Sequence, residues 1–395
     1  MLETELREEI KQREAEMIKL RRELHAHPEL SFEEKRTAGI IAERLKAAGF
    51  DEVRTGVGGN GVVATLKGEK PGKTVMVRAD IDALPIQEQN EVDYRSQNSG
   101  AMHACGHDGH ITIGLTLASA LAARRKELPG TVKFAFQPAE ERGAGARPMI
   151  NEGTLTSPDV DAVIGLHLWN NMPAGQLGIT GGPIFASADS FEITVRGKGG
   201  HGALPHQTVD AVVVGSEIVV ALQTLVSRES PPTAPAVVTV GSFHAGTAFN
   251  VISEEAKLSG TFRTVTPEAR DYIRRRIQEL AEGVAKAMRA TVEITFRIGV
   301  PAVINDPKVA DAVRQAGVEV LGAQNVLEVD PVTIADDMSE FLLEKPGCYF
   351  LMGSANSERG LDFPHHHPRF DFDESCLAPA AEILGRAVLK LSTEK

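Results

Sequence analysis

The sequence is sparing with three things, and each shortage excludes something. Cysteine is one: Cys105, Cys348 and Cys376 are odd in number and irregularly spaced among 395 residues, so no disulfide framework and no paired C-x-x-C zinc knuckle can be read. Positive charge is another. The chain has 42 Lys and Arg against 54 Asp and Glu, a formal net charge of -12, and no Lys/Arg stripe interleaved with aromatics. Such a surface repels phosphate backbones, so nucleic acid is not an expected partner. Long apolar runs are the third. The opening MLETELREEIKQREAEMIKLRREL is charged throughout and has neither the apolar stretch nor the cleavage site of a signal peptide. No later run reads as long and apolar enough to span a bilayer. The expectation is a cytoplasmic protein with no membrane partner.

What is present suffices for a large core, with 42% hydrophobic and 24% charged residues. The length suits two domains, or one domain with a large insertion. Leu6, Ile10, Met17, Leu20 and Leu24 recur at helical spacing and predict a solvent-facing amphipathic helix over about 4–24, limited by Pro28. A second helix is expected over about 32–48, stopped by Gly49. Then short β-rich runs alternate with helical ones: GVVATLKG, TVMVRADIDALP, a helix over about 109–128, TVKFAFQPAEE and DAVIGLHLWN. That order signals an α/β domain with a mostly parallel sheet flanked by helices. From Asp189 the order changes to βαββαβ, the ferredoxin-like unit, so an inserted domain is expected over 187–299, within a first domain made of 1–186 and 300–395.

Ligands of parallel sheets bind beyond the carboxyl ends of the strands. Here the apolar runs end in candidate chemistry: VMVRA in Asp80 and Asp82, VKFAF in Glu140 and Glu141, VIGL in His167, and CYFLMG in a stretch leading to HHH at 365–367. MHACGHDGH at 102–110 adds Cys105, His107, Asp108 and His110 on a glycine-punctuated loop. Taken singly, each has a plain structural reading: Asp108 capping a helix, histidines in solvent, a solvated glutamate pair at a helix start. Together they place thiolate, imidazole and carboxylate donors on one sheet edge, which points to a metal site. A cysteine nucleophile paired with histidine is the competing chemistry, but it leaves Glu140, Glu141, His167 and His366 without a common purpose. A purely structural zinc site would be richer in cysteine.

The chain then resembles the zinc- or manganese-dependent amidohydrolases of the aminoacylase and carboxypeptidase clan, especially N-acyl-amino-acid deacetylases, hippurate hydrolases and auxin-conjugate hydrolases. The resemblance is carried by RRELHAHPELSFEE, RADIDALPIQE, MHACGHDGH, FQPAEE, GLHLWN, GKGGHGALPH, GTAFNVI, GTFRT and HHHPRFDFDE, in the family's order and over nearly the whole chain. It implies a pair of divalent ions held by Cys105, His107, Glu141, His167 and His366, with Glu140 as general base and Asp82 behind the ligands. Zinc or manganese would suit these donors, and cobalt or nickel also. The insertion becomes a lid that mediates homodimerisation. By the same resemblance His201 would reach across the dimer to the oxyanion, while Asn250 and Arg263 would hold a substrate carboxylate. The resemblance assigns no role to His365, His367, Asp336 or Asp337. The implied reaction is hydrolysis of the amide bond of an N-acyl amino acid. Carboxypeptidase action on short or blocked peptides is the near alternative, and a metal-binding protein without catalysis the distant one.

Overall fold

The computed structural model describes residues 2–393. It divides into two compact units. The first runs to Ile184 and resumes over Ile304–Asp330 and from Asp336; the second comprises Phe185–Val303 and Pro331–Ala335. The second unit is therefore wider than the insertion drawn over 187–299. It takes in Pro331–Ala335 because the carbonyls of Val332 and Ile334 accept from Ala186 N at 3.1 and 2.8 Å.

The first unit is built on an eight-stranded sheet in the order Glu52–Val57, Gly61–Lys67, Pro129–Gln137, Lys70–Asp80, Ala162–Pro173, Gly347–Ala355, Leu177–Ile179, Val326–Glu328. The four central strands, from Pro129–Gln137 to Gly347–Ala355, run parallel. Their sequences are nearly continuous apolar runs because both faces are covered. Val75, Met76, Val132, Phe134, Val163, Ile164, Phe350 and Leu351 are all buried. The helices His107–Ala123, Pro307–Leu321 and Leu377–Thr393 contribute to the same apolar core. Because the central strands are parallel, their carboxyl ends share one edge. Asp80 closes one of them, and Glu140 follows another after Pro138.

Three sequence expectations need correction here. The helix expected over 4–24 is two helices, Leu2–Gln12 and Glu14–Ala26, broken at Arg13. Their stripe of Leu6, Ile10, Met17, Leu20 and Leu24 is fully packed, and Arg21 and His25 are buried with it. The helix expected from 109 starts at His107, because Gly106 at φ 88 supplies the left-handed turn before it. His167 is not at a strand end, since Ala162–Pro173 continues to pair with Gly347–Ala355. Its pairing with Lys70–Asp80 does stop at Gly165, so on that side His167 lies past the end of the ladder.

The second unit is a four-stranded antiparallel sheet in the order Ala236–Ala245, Glu255–Thr264, Asp189–Arg196, Thr291–Ile298, with the helices Ala211–Leu222 and Pro267–Ala287. This is the ferredoxin-like arrangement that the order βαββαβ requires. Asp210 and Thr266 cap the two helices, with Pro267 following as the first helical residue. One further correction arises: the helical stretch Ala211–Glu229 is long and apolar enough to cross a membrane by length and composition. Its Ala211, Val214, Ile218, Leu222 and Leu225 are spent on the core of this unit, which explains an apolar composition in a globular domain. Val212, Val213 and Val220 remain exposed.

Candidate metal centre

The donors named from sequence in the first unit meet. Cys105, His107 and His167 bring ligand atoms within 4.8 Å of one another, as do Cys105, Glu141 and His366. Cys105 Sγ is common to both groups and lies 3.5 Å from His167 Nε2. His107 Nε2 is 3.8 Å from both Glu140 Oε2 and Glu141 Oε1, and His366 Nε2 is 3.4 Å from Glu141 Oε2.

The backbone decides which ring nitrogen each histidine presents. His107 Nδ1 donates to the carbonyl of Asp82 at 2.9 Å, and His167 Nδ1 donates to the carbonyl of Leu168 at 2.6 Å. A carbonyl can only accept, so in the neutral rings the proton sits on Nδ1 and Nε2 carries a lone pair. Burial acts to lower the His107 pKa, but Asp80, Asp82 and Glu141 prevail and raise it to about 10, so a cation bound at Nε2 takes the place of a proton. His107 Nε2 is buried and makes no hydrogen bond. An imidazole lone pair left this way, beside a thiol and two carboxylates, fits a borderline-soft divalent cation. Asp82 braces two of these groups: its Oδ1 is 3.3 Å from His107 Nδ1, while its Oδ2 accepts from Glu141 N at 3.1 Å and Ser31 Oγ at 2.7 Å.

Strained backbone carries two of the donors. His366 has φ 65 and is tied by its N–H to Ala104 O at 2.8 Å. Ala139, immediately before Glu140, has φ 53 and donates its N–H to Glu34 Oε1 at 3.0 Å. Non-glycine residues in this region are costly and persist where the surroundings impose them.

Negative charge is crowded here. Burial first, then Asp336, Glu141, Asp337 and Asp80, push the Glu140 carboxyl well above its ordinary range. Burial raises Glu141 to about 7, with Asp82 and Asp80 adding to it against the pull of His107. Burial, Glu141 and Glu140 likewise push the Cys105 thiol up. Cations placed among these groups reverse each of those directions, so the cluster as built calls for them.

Behind the donors stand two buried arginine networks whose roles sequence reasoning missed. Arg78 reaches Asp80 at 2.6 Å, Asp336 at 3.0 Å, Asp337 at 3.3 Å, Gln137 at 2.9 Å and the Tyr349 hydroxyl at 3.1 Å. Asp336 and Asp337 thus gain a place, as counter-charges to Arg78. Arg21 holds Asp108 at 2.9 Å and Asp371 at 2.6 Å, and Asp108 also accepts from His25 Nδ1 at 2.7 Å. Asp108 is therefore a buried ion-pair partner that anchors the turn carrying Cys105 and His107. The two arginines lie in the quoted motifs RADIDALP and RRELHAH, whereas their partners Asp336, Asp337, Tyr349, Asp108 and Asp371 come from elsewhere in the chain. His365 stacks on Trp169 with centroids 5.0 Å apart, and its Nε2 accepts from Asn170 N at 3.2 Å.

His201, Asn250 and Arg263 belong to the second unit. The pair Gly200–His201 is hydrogen-bonded to Val251–Ile252, which sets His201 beside Asn250 on an exposed tip. His201 Nδ1 accepts from Ala203 N at 3.0 Å, so a neutral ring carries its proton on Nε2. Arg263 is half-buried. Its bonds to Thr261 Oγ1, Phe262 O and Asp189 O all leave from Nη1, and among the described residues it makes no ion pair.

Residues 76–390 match the family model described as Peptidase family M20/M25/M40. Thermostable carboxypeptidase 2 of Saccharolobus solfataricus is 38% identical over 397 residues, covering 98% of each chain. N-acetylcysteine deacetylase of Bacillus subtilis is 38% identical over 380 residues, 96% of this chain and 98% of that one. Among solved structures, the Bacillus subtilis YXEP protein, described as a dinuclear metal-binding peptidase of the M20 family, superimposes with a TM-score of 0.85 at 34% identity, covering 97% of this chain and 99% of that one. The chain belongs to peptidase family M20/M25/M40 and is a metal-dependent hydrolase.

Proposed function

We propose that the protein hydrolyses the amide bond of N-acyl amino acids with two divalent ions, releasing a free amino acid and a carboxylic acid. The observation that carries this reading is Cys105 Sγ shared between two donor groups, with the Glu140 carboxylate beside them. Cys105, His107, Glu141, His167 and His366 are the proposed ligands. Bound there, two cations would polarise the amide carbonyl and lower the pKa of a water towards neutrality. Glu140 takes the proton from the attacking water and passes it to the leaving amine. Asp82 keeps His107 and Glu141 in place. His201 donates from Nε2 to the oxyanion, and Arg263, which makes no ion pair among the described residues, receives the substrate carboxylate together with Asn250.

The same proposal includes a homodimer formed through the second unit, with His201 acting on the partner's substrate. The exposed Val212, Val213 and Val220 on one helix, with Val220 at 64% exposure, support a covered face there. It also places the enzyme in the cytoplasm, where its three free, buried thiols stay reduced. Carboxypeptidase action on short peptides is the second reading, favoured by the Saccharolobus relative, because a peptide C-terminus presents the same amide and carboxylate. A non-catalytic role is disfavoured by the retention of Glu140.

The deciding experiment uses metal-stripped protein, reloaded with zinc or manganese, on a panel of N-acetyl and N-benzoyl amino acids and blocked dipeptides, read by mass spectrometry. Metal-restored release of amino acids from the acyl substrates supports the first reading, and release from the dipeptides alone supports the second. No release from any of them by folded, metal-loaded protein refutes both.

A further inference from the structure

We propose that His110 is a positioning residue for the metal centre, acting through the backbone at Leu168 to fix the ring of His167. The inference rests on the proposed ligand role of His167. It starts from a sheet register. The strand Ala162–Pro173 loses its pairing with Lys70–Asp80 after Gly165, so on that side the Leu168 N–H has no ladder acceptor. His110 Nε2 takes it instead, at 2.9 Å.

A backbone N–H can only donate, so this bond makes His110 Nε2 the acceptor and puts the ring proton on Nδ1. That proton meets Asp80 Oδ1 at 2.6 Å, and Asp80 is held in turn by the fully buried Arg78 at 2.6 Å. The chain of contacts runs from a fixed guanidinium, through a carboxylate and one imidazole, to the N–H of Leu168. The carbonyl of the same residue accepts from His167 Nδ1 at 2.6 Å. The two peptides flanking the Leu168 Cα therefore carry the orientation of His110 to His167. With its proton held on Nδ1, His167 directs its Nε2 lone pair towards the donor group, 3.5 Å from Cys105 Sγ. The rings also touch: His110 meets His167 edge to face at 5.0 Å and stacks on His107 at 5.4 Å. Partners of this kind set ligand geometry, and their loss costs about 10–100-fold in metal affinity.

The two bonds of His110 can be separated. His110→Asn keeps an amide near the Nδ1 position, within reach of Asp80, but its side chain is too short to accept from Leu168 N. His110→Gln places an amide oxygen near the Nε2 position, where it can accept. Full-length protein with 15N-labelled histidine is examined by two-bond 1H–15N correlation, which reports each ring's tautomer, first stripped of metal and then titrated with zinc against a competing chelator. The expected result is a pure Nδ1–H tautomer for His167 in the wild type and in His110→Gln. In His110→Asn a mixture of tautomers should appear, with one of the two zinc sites weakened by about 10–100-fold. Equal behaviour of the two variants, whether both keep the wild-type signature or both lose it, overturns the proposal. Failure of the underlying ligand assignment looks different: zinc would bind the wild type without moving the His167 ring nitrogens.

Discussion

The histidines of the two units are held in opposite ways. In the first unit His107 and His167 are buried and give their Nδ1 protons to backbone carbonyls, so each, when neutral, offers an Nε2 lone pair. In the second unit His201 is exposed and accepts a backbone N–H at Nδ1, so its Nε2 offers a proton. The same side chain is set up as an electron-pair donor in one place and a hydrogen-bond donor in the other, and the nearest backbone group makes the choice. Burial differs as sharply. Arg21 and Arg78 bind the first unit's carboxylates in a buried interior, whereas the tip bearing His201 and Asn250 is exposed. Damage to the first group should therefore register in metal content and stability, and damage to the second in turnover alone.

The largest effect should come from Glu140→Gln. It removes the proposed base while leaving the proposed ligands intact, so kcat should fall by about 10²–10⁴-fold with metal content unchanged by elemental analysis. Turnover near the wild-type value would take Glu140 out of the mechanism. Next comes Arg21→Met, which leaves Asp371 in the interior without its guanidinium and Asp108 with His25 alone. A loss of about 3–5 kcal/mol in chemical denaturation is expected, because breaking a buried pair leaves the surviving charge uncompensated. If stability barely changes, the network is less tightly closed than its 2.9 and 2.6 Å contacts indicate. His201→Ala tests the other side of the contrast. It should cost about 10²–10³-fold in kcat but no more than about 0.5 kcal/mol in stability, as exposed substitutions usually do. Mixed with Glu140→Gln protein under conditions of subunit exchange, it should regain part of its activity. No recovery in demonstrated heterodimers would count against action across the dimer.

The alternation of apolar runs and the change to βαββαβ made the two folds legible, because each element announces itself over a few consecutive residues. The donor cluster was legible because parallel strands deliver their carboxyl ends to one edge, so Asp80, Glu140 and the loop before Pro368 had to converge. What stayed hidden depends on distance in sequence. Nothing near Arg78 or Arg21 predicts Asp336 or Asp371, since a long-range ion pair leaves no period in the chain. The break at Arg13 was hidden for a related reason: the apolar stripe on each side keeps helical phase, and only the packed structure shows two helices. Ala211–Glu229 misled in the other direction. One apolar face belongs to the core and another to the surface, and composition alone could not divide them.

The smallest effect concerns pH and belongs wholly to the buried side. Burial and the neighbouring Arg21 both act to lower the pKa of His25, but its hydrogen bonds to Asp108 and Glu88 prevail and raise it from 6.5 to about 9. A group whose pKa is raised by folding contributes its stabilisation fully below the unfolded value and loses it as pH climbs through the folded one. The His25 contribution is therefore intact below about 6.5 and fades as pH rises through about 9. The melting temperature of the full chain should drift downward across that interval, and His25→Gln should flatten the drift because the replacement cannot titrate. An unchanged slope in the variant would assign the alkaline loss to other groups, and His25 would then be a neutral spacer between Asp108 and Glu88.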